Sequence, residues 1–263
     1  MPRAVIVGLG LIGGSIARAV SRRGWEVFFV DPAVSADEAS RADERWIRLD
    51  SLEAIPRNSD VIVIATPVDA ALKILRQIPE DSGFATTVCS VMAPLQRRAS
   101  ETKLRFAASH PFAGSAEHGL AASREDLFEG KIWFVDSAST DHRLHALVSA
   151  TGAVAQPIEA EEHDRLLAAT SHLPQVLSTA LGSMLESESL GHPALRGSGL
   201  ETFLRLAGSS GEVWRPVLES NRVQVREQWL RFSKIVDRII DGLDTNDFTK
   251  AQRLRATIEN REK

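Results

Sequence analysis

Two kinds of run alternate along the first part of the chain. Short apolar stretches lie at residues 4–7, 25–31, 60–67, 85–90, 105–109 and 132–135. They are too short for helices and lack polar alternation, so they read as strands buried on both faces. Between them the apolar positions take helical spacing. Leu72, Leu75 and Ile78 mark one such run, and 94–102 and 142–150 two others. Strands interleaved with helices predict an α/β domain built on a doubly wound parallel sheet. Ligands of such sheets bind at the carboxyl ends of strands, here Thr66-Pro67, Ser90 and Ser109-His110. From Glu161 the pattern turns wholly helical, with Leu166, Thr170, Leu173, Leu177, Leu181 and Leu185 close to a 3.6-residue period up to Glu186. A second long helix is expected to start near Pro216, a favourable first-turn residue, and to run through Trp229 and Phe232 to Gly242. A last helix is expected from Asp247 to Glu259. The expected division is therefore an α/β domain over 1–158 and an all-helical domain over 159–263. The helical part carries more apolar surface than a small lobe buries by itself, which predicts a homodimer interface there.

The first βαβ unit holds a more specific signal. A strand enters Gly8-Leu9-Gly10-Leu11-Ile12-Gly13, a helix leaves it, and a second strand ends at Asp31, 23 residues after Gly8. Gly8 permits a tight turn, Gly10 lets the backbone approach a pyrophosphate, and Gly13 lets helix and strand pack closely. Leu11 and Ile12 begin the helix, whose first N–H groups lack intrahelical partners and face the phosphates. This is the Rossmann arrangement for a dinucleotide. A free carboxylate at Asp31 suits the ribose diol of NAD, and an NADP site usually has an arginine nearby. Here Pro32-Ala33-Val34-Ser35-Ala36 follows instead, so NAD is expected in preference to NADP. Arg3 before an apolar stretch would also open a secretory signal. Four glycines within residues 8–14 suit that reading poorly, and it leaves the strand ending at Asp31 without a reason.

Composition changes this picture little. The chain has 263 residues, 43% apolar and 25% charged, and a net charge of −4. Nothing in it suggests a basic nucleic-acid surface or a polybasic membrane patch, and no apolar run approaches a membrane span. The single cysteine, Cys89, excludes an internal disulfide framework and suits a reducing cytoplasm. His142 and His145 have no acid or cysteine nearby to complete a metal site, so no metal is expected.

His110 carries the candidate chemistry. An imidazole at a strand end in a dinucleotide fold can accept a proton as hydride leaves. On the residues alone it can equally be a strand-capping histidine. The surrounding motifs add to this: Gly8 to Ser15, Ser90-Val91, His110 to Gly114, Asp126 to Gly130, His163-Asp164, Ser171 to Pro174, and Arg205 with Trp214 and Asn221. In order and spacing the chain resembles the prephenate/arogenate dehydrogenases over nearly its whole length. The resemblance implies NAD-dependent oxidative decarboxylation of prephenate or arogenate in tyrosine biosynthesis, by a Rossmann domain followed by a helical dimerisation domain. It implies His110 and Ser90 as catalytic residues, and Arg205 as the grip on a substrate carboxylate, with His172, Ser171, Gln175 and Trp214 in the substrate pocket. Gly8, Gly10, Leu11, Ile12, Gly13, Asp31, Thr66 and Pro67 are the expected cofactor residues. His163-Asp164 reads as a local pair at a helix start.

The chain departs from the family pattern at three places. Met92 stands where the family often has Lys, Gln175 where it commonly has a second His, and Ala116 where it often has an acid, with Glu117 one step later. These positions surround the part of the pocket that separates a keto-acid from an amino-acid side chain, so prephenate, arogenate and an amino-substituted prephenate stay open. More distant alternatives are a β-hydroxyacid dehydrogenase or imine reductase and a non-catalytic NAD(H) sensor. The first two usually use a lysine on the long helix, and there is none between Glu161 and Glu188.

Overall fold

Among the described residues, eight strands form one sheet in the order β3-β2-β1-β4-β5-β6-β7-β8. The computed structural model describes residues 1–114, 117–187, 197–242 and 245–259. The strands are β1 (Arg3–Val7), β2 (Glu26–Val30), β3 (Ile47–Arg48), β4 (Val61–Ile64), β5 (Phe84–Thr87), β6 (Arg105–Pro111), β7 (Ile132–Asp136) and β8 (Val154–Ile158). The helices between them are α1 (Leu11–Arg22), α2 (Ala36–Ala42), α3 (Val68–Ile74), α4 (Ala93–Ser100) and α5 (His142–Ala150). The order reverses at β1, which pairs with both β2 and β4 in parallel. That switch point opens a crevice at the strands' carboxyl ends.

Strand pleating sends successive side chains to opposite faces, and the core divides accordingly. Ala4, Ile6, Val61 and Val63 pack with Ile16 and Val20 of α1 and Leu144 and Leu147 of α5. Val5, Val7, Ile62 and Ile64 pack on the other face with Val68, Leu75 and Leu95 from the α3 and α4 side. This double burial explains the unbroken apolar strands of the sequence.

The sheet is not parallel throughout. β7 runs antiparallel to β6, with His110 opposite Phe134, and β8 is parallel to β7. A parallel return needs a crossover element of a dozen or more residues, usually a helix. Among its described residues, the segment joining β6 to β7 contains only the short 3₁₀ turn Leu120–Ala122. An apolar run carries no record of its direction.

The remaining helices are α6 (Ala160–Leu167), α7 (Leu173–Ser187), α8 (Ser198–Leu204), α9 (Gly211–Ser220), α10 (Arg222–Gly242) and α11 (Thr245–Glu259). By backbone contacts Met1–Leu166 and Ser209–Asn221 form one unit, and Leu167–Gly208 with Arg222–Lys263 a second. Two expectations need correcting. The helix expected over 161–186 is interrupted by a π turn at Ala168–His172. Pro174 supplies a reason, because it has no N–H for the Thr170 carbonyl and its ring would clash there. A π turn adds one residue to the winding, so the buried stripe shifts by one position ahead of it: Leu167 and Ala168 are buried while Leu166 is exposed. Pro216 does not start a long helix but lies inside α9. The chain breaks at Asn221, whose buried side chain donates to the Asp164 carbonyl at 2.8 Å, and α10 starts afresh at Arg222. Among the described residues no helix is long and apolar enough to cross a membrane.

Candidate active site

The glycine turn has the geometry its sequence implies. Gly8 adopts φ +95°, and a Cβ there would lie 2.8 Å from the Ala65 carbonyl oxygen. At Gly13 a Cβ would lie 2.0 Å from the Gly8 oxygen, so α1 can sit this close to β1 only without a side chain. Gly10 is different: a Cβ there would meet nothing within 4 Å. The protein does not need glycine at Gly10 for its own packing, and the open space lies at the first turn of α1. No side chain caps that helix and no acid occupies its first turn. The early N–H groups, which include those of Leu11 and Ile12, therefore remain for an anion. Asp31 follows β2 and accepts from Leu9 N–H at 2.6 Å and from Ala33 N–H at 2.8 Å. Each carboxylate oxygen keeps acceptor capacity for a ribose diol. Thr66 and Pro67 follow β4, at the adjoining strand end. Next to them Cys89 is buried, with its Sγ 3.5 Å from the Thr66 carbonyl. Burial, and secondarily Asp69, push its thiol up to about 12.

His110 sits near the carboxyl end of β6. Its neighbour Ser109 points to the opposite face and is wholly buried. The Ser109 hydroxyl donates to the Thr87 carbonyl at 2.8 Å and accepts from Trp133 Nε1 at 3.0 Å. This anchor fixes the pleat and hence the direction of the His110 side chain. The imidazole stands edge-on to Phe112, with centroids 6.1 Å apart, and beside Phe134 at 6.5 Å.

His110 Nδ1 lies 3.0 Å from His163 Nε2, and His163 Nδ1 lies 2.8 Å from Asp164 Oδ1. The same carboxylate accepts from Met92 N–H at 2.8 Å and Ala93 N–H at 3.0 Å, capping the start of α4 across more than 70 residues. His163 and Asp164 are 0% and 2% exposed. The pair is thus not merely local, as the sequence suggested, but joins α6 to β6 and α4. One signal was available. His163 stands three residues before Leu166, in line with the expected apolar stripe, and a polar residue there needs a partner.

The other expected site residues divide between the two units. Ser90 is half-buried on the turn after β5, whose neighbour in the sheet is β6. Trp214 is half-buried in α9. In the second unit, Ser171 and His172 occupy the π turn, with His172 fully buried. Gln175 is buried in α7, and its amide donates to the Leu206 carbonyl at 2.8 Å and to Thr179 Oγ1 at 3.1 Å. Arg205 is exposed and opens the 3₁₀ turn Arg205–Gly208. Ser178 holds that turn to α7, accepting from Ala207 N–H at 3.0 Å and donating to the Phe203 carbonyl at 2.8 Å. The Arg205 turn and the Ser171–Gln175 segment are thereby tied together.

Of the departures, Met92 is fully buried with Ala93, Ala108 and Ala160, a setting for a thioether and not for a cation. Glu117 is exposed, and Ala116 lies outside the described residues. His142 and His145 are exposed on α5.

Comparisons with known proteins bear on the family of the chain. Residues 16–155 match the family described as "Prephenate dehydrogenase, nucleotide-binding domain", and residues 159–259 the one described as "Prephenate dehydrogenase, dimerization domain". The prephenate dehydrogenase of Lactococcus lactis is 26% identical over 98% of this chain and 78% of its own length. That of Bacillus subtilis is 27% identical over 92% of this chain and 70% of its own. In fold, the chain is similar to prephenate dehydrogenase from Aquifex aeolicus in complex with hydroxyphenyl propionate and NAD+, with a TM-score of 0.79. The match has 22% identity and covers 100% of this chain and 98% of the other. The two family matches together span most of the sequence, and the chain belongs to the prephenate dehydrogenase family of oxidoreductases.

Proposed function

We propose that this chain is a prephenate dehydrogenase, converting prephenate to 4-hydroxyphenylpyruvate and CO2 with NAD+ as oxidant, in tyrosine biosynthesis. The observation that carries the reading is His110. It stands at a strand end in the same unit as a glycine turn whose one open position, Gly10, leaves room for a pyrophosphate. NAD+, when bound, supplies the hydride acceptor. Gly8, Gly10, Leu11, Ile12, Gly13, Asp31, Thr66 and Pro67 would hold it. His110 accepts the proton of the ring hydroxyl while hydride leaves the carbon that bears it. The ring carboxylate departs as CO2, its bonding electron pair enters the ring, and the phenol oxygen recovers a proton. Aromatisation drives the step, so the protein mainly has to align the reactants and take the proton.

In this reading Ser90 orients the hydroxyl and Arg205 grips a carboxylate through its guanidinium fork. Ser171, His172, Gln175 and Trp214 shape the substrate pocket. Residues 1–158 serve the cofactor, and residues 159–263 serve the substrate and a homodimer. The dimer is supported by the family description matched over 159–259 and by exposed apolar side chains on α10 and α11, among them Leu230, Ile240, Phe248 and Leu254. A cytoplasmic location completes the reading, supported by the single, buried cysteine.

Following NADH absorbance with NAD+ and prephenate tests the activity, with arogenate and NADP+ in parallel arms. Turnover of prephenate with NAD+ is expected to dominate. Higher kcat/KM for arogenate or for NADP+ overturns the corresponding choice. His110→Asn is expected to lose most of kcat while still binding NAD+, and near-normal turnover refutes the proton acceptor. Arg205→Gln should chiefly raise KM. Sedimentation at micromolar concentration should give a dimer, and a monomer refutes the interface.

A further inference from the structure

We propose that His163 and Asp164 are positioning residues that lock His110 in the tautomer with its proton on Nδ1, so that Nε2 carries the lone pair that takes the proton of the substrate hydroxyl. The inference rests on His110 being the proton acceptor, and goes beyond it by saying which ring nitrogen does the work and what selects it.

Met92 and Ala93 present N–H groups, which can only donate, so the Asp164 oxygens that meet them are acceptors. Asp164 Oδ1 also faces His163 Nδ1 at 2.8 Å, and a carboxylate oxygen there requires His163 to donate from Nδ1. A neutral His163 then has a lone pair on Nε2. That atom lies 3.0 Å from His110 Nδ1, so His110 must donate from Nδ1. The neutral His110 ring is left with its lone pair on Nε2.

The opposite tautomer is costly in this frame. A proton on His110 Nε2 would set two nitrogen lone pairs against each other at 3.0 Å. Turning His163 to the other tautomer would cure that but aim a lone pair at the Asp164 carboxylate. His163 and Asp164 are buried beyond the reach of water that could absorb the mismatch, and an unmet polar contact in such a place is expensive. When His110 takes a proton on Nε2, its Nδ1–H stays on His163, and the Asp164 carboxylate stands behind as the counter-charge. The pair touches neither substrate nor cofactor in this scheme and acts only through His110.

Ring-nitrogen NMR of the full chain, labelled with nitrogen-15 in its histidines, tests this without cofactor. It is run at about pH 8.5, some two units above the unperturbed imidazole value. His110→Asn identifies the His110 signal by its loss. The wild-type His110 ring should be protonated on Nδ1 and bare on Nε2, and the reverse pattern overturns the proposal by itself. His163→Leu cannot accept from His110. It should release the ring to the other tautomer and lower kcat on the order of 10²-fold, with the NAD+ Kd unchanged. In His163→Gln the amide oxygen can take the same hydrogen bond, so that variant should recover the wild-type tautomer and most of kcat. A merely structural role predicts no tautomer change in either variant. Should His163→Leu fail to fold, the wild-type and His163→Gln spectra decide the matter. If His110→Asn is inactive while His163→Leu keeps both kcat and the wild-type tautomer, only the positioning role falls. If His110→Asn stays active, the proton-acceptor reading falls instead.

Discussion

Replacing Gly13 by alanine and Gly10 by alanine should separate two uses of glycine in one turn. The Gly13 Cβ would lie 2.0 Å from the Gly8 carbonyl oxygen and 3.1 Å from Ala65 Cβ. Real Cβ contacts do not go below 3.0 Å, so α1 must retreat from β1 by about 1 Å. Both sides of the clash are backbone or short side chain, which places the overpacking cost near the top of the usual range, about 3 kcal/mol. Alanine regains about 1 kcal/mol through helix propensity and a less flexible unfolded chain. The net loss of about 2 kcal/mol corresponds to a fall in Tm of roughly 4–8 °C for a chain of this size. At Gly10 the Cβ meets nothing, and φ −81°, ψ −158° is open to any residue. Gly10→Ala should therefore unfold within about 2 °C of wild type. It should nevertheless weaken NAD+ by about tenfold or more, some 1.4 kcal/mol, because the methyl group occupies the approach to the helix N-terminus. Thermal unfolding without cofactor and calorimetric titration with NAD+ measure the two effects. A Gly10→Ala protein with wild-type Kd would refute the placement of the pyrophosphate, and a Gly13→Ala protein with unchanged Tm would refute the packing argument.

Other outcomes follow from the same structure. Cys89, with its thiol pushed up to about 12 by burial, should resist thiol reagents in the folded protein and react once per chain after denaturation; native labelling at neutral pH counts against its burial. Asp141 caps α5, accepting from Arg143 N–H at 3.0 Å and Arg143 Nε at 2.8 Å, and the arginine holds its carboxyl down at about 2. A depressed acid stabilises the fold above its ordinary value of 3.8 and loses that contribution as pH falls towards 2. Asp141→Ala should thus cost about 1 kcal/mol at neutral pH, and the gap to wild type in denaturant midpoints should narrow between about pH 4 and pH 2; a gap independent of pH sinks the assignment. Asp31→Ala should reduce the preference for NAD+ over NADP+, as read from the kcat/KM ratio, and an unchanged ratio removes Asp31 from cofactor choice.

Local chemistry made much of this protein legible from its sequence. Gly8, Gly10 and Gly13 announce a turn because backbone conformation and close approach depend on the absence of a side chain, a property of each residue alone. Apolar runs such as 61–64 announce doubly buried strands because alternation disappears when both faces are covered. The motifs around His110 and Ser171-His172 identified the family. What depended on distant partners was hidden. The direction of β7 is set by a return path whose described residues hold no crossover helix, and the apolar run 132–135 reads the same either way. Pro216 looked like a helix start because its meaning depends on Asn221, whose side chain is spent on the Asp164 carbonyl. The His163-Asp164 pair looked local because its partners lie more than 50 residues away on β6 and more than 70 away on α4. Periodicity reports which face of an element is buried; only the packed chain decides what that face meets, and a buried polar group takes its function from that meeting.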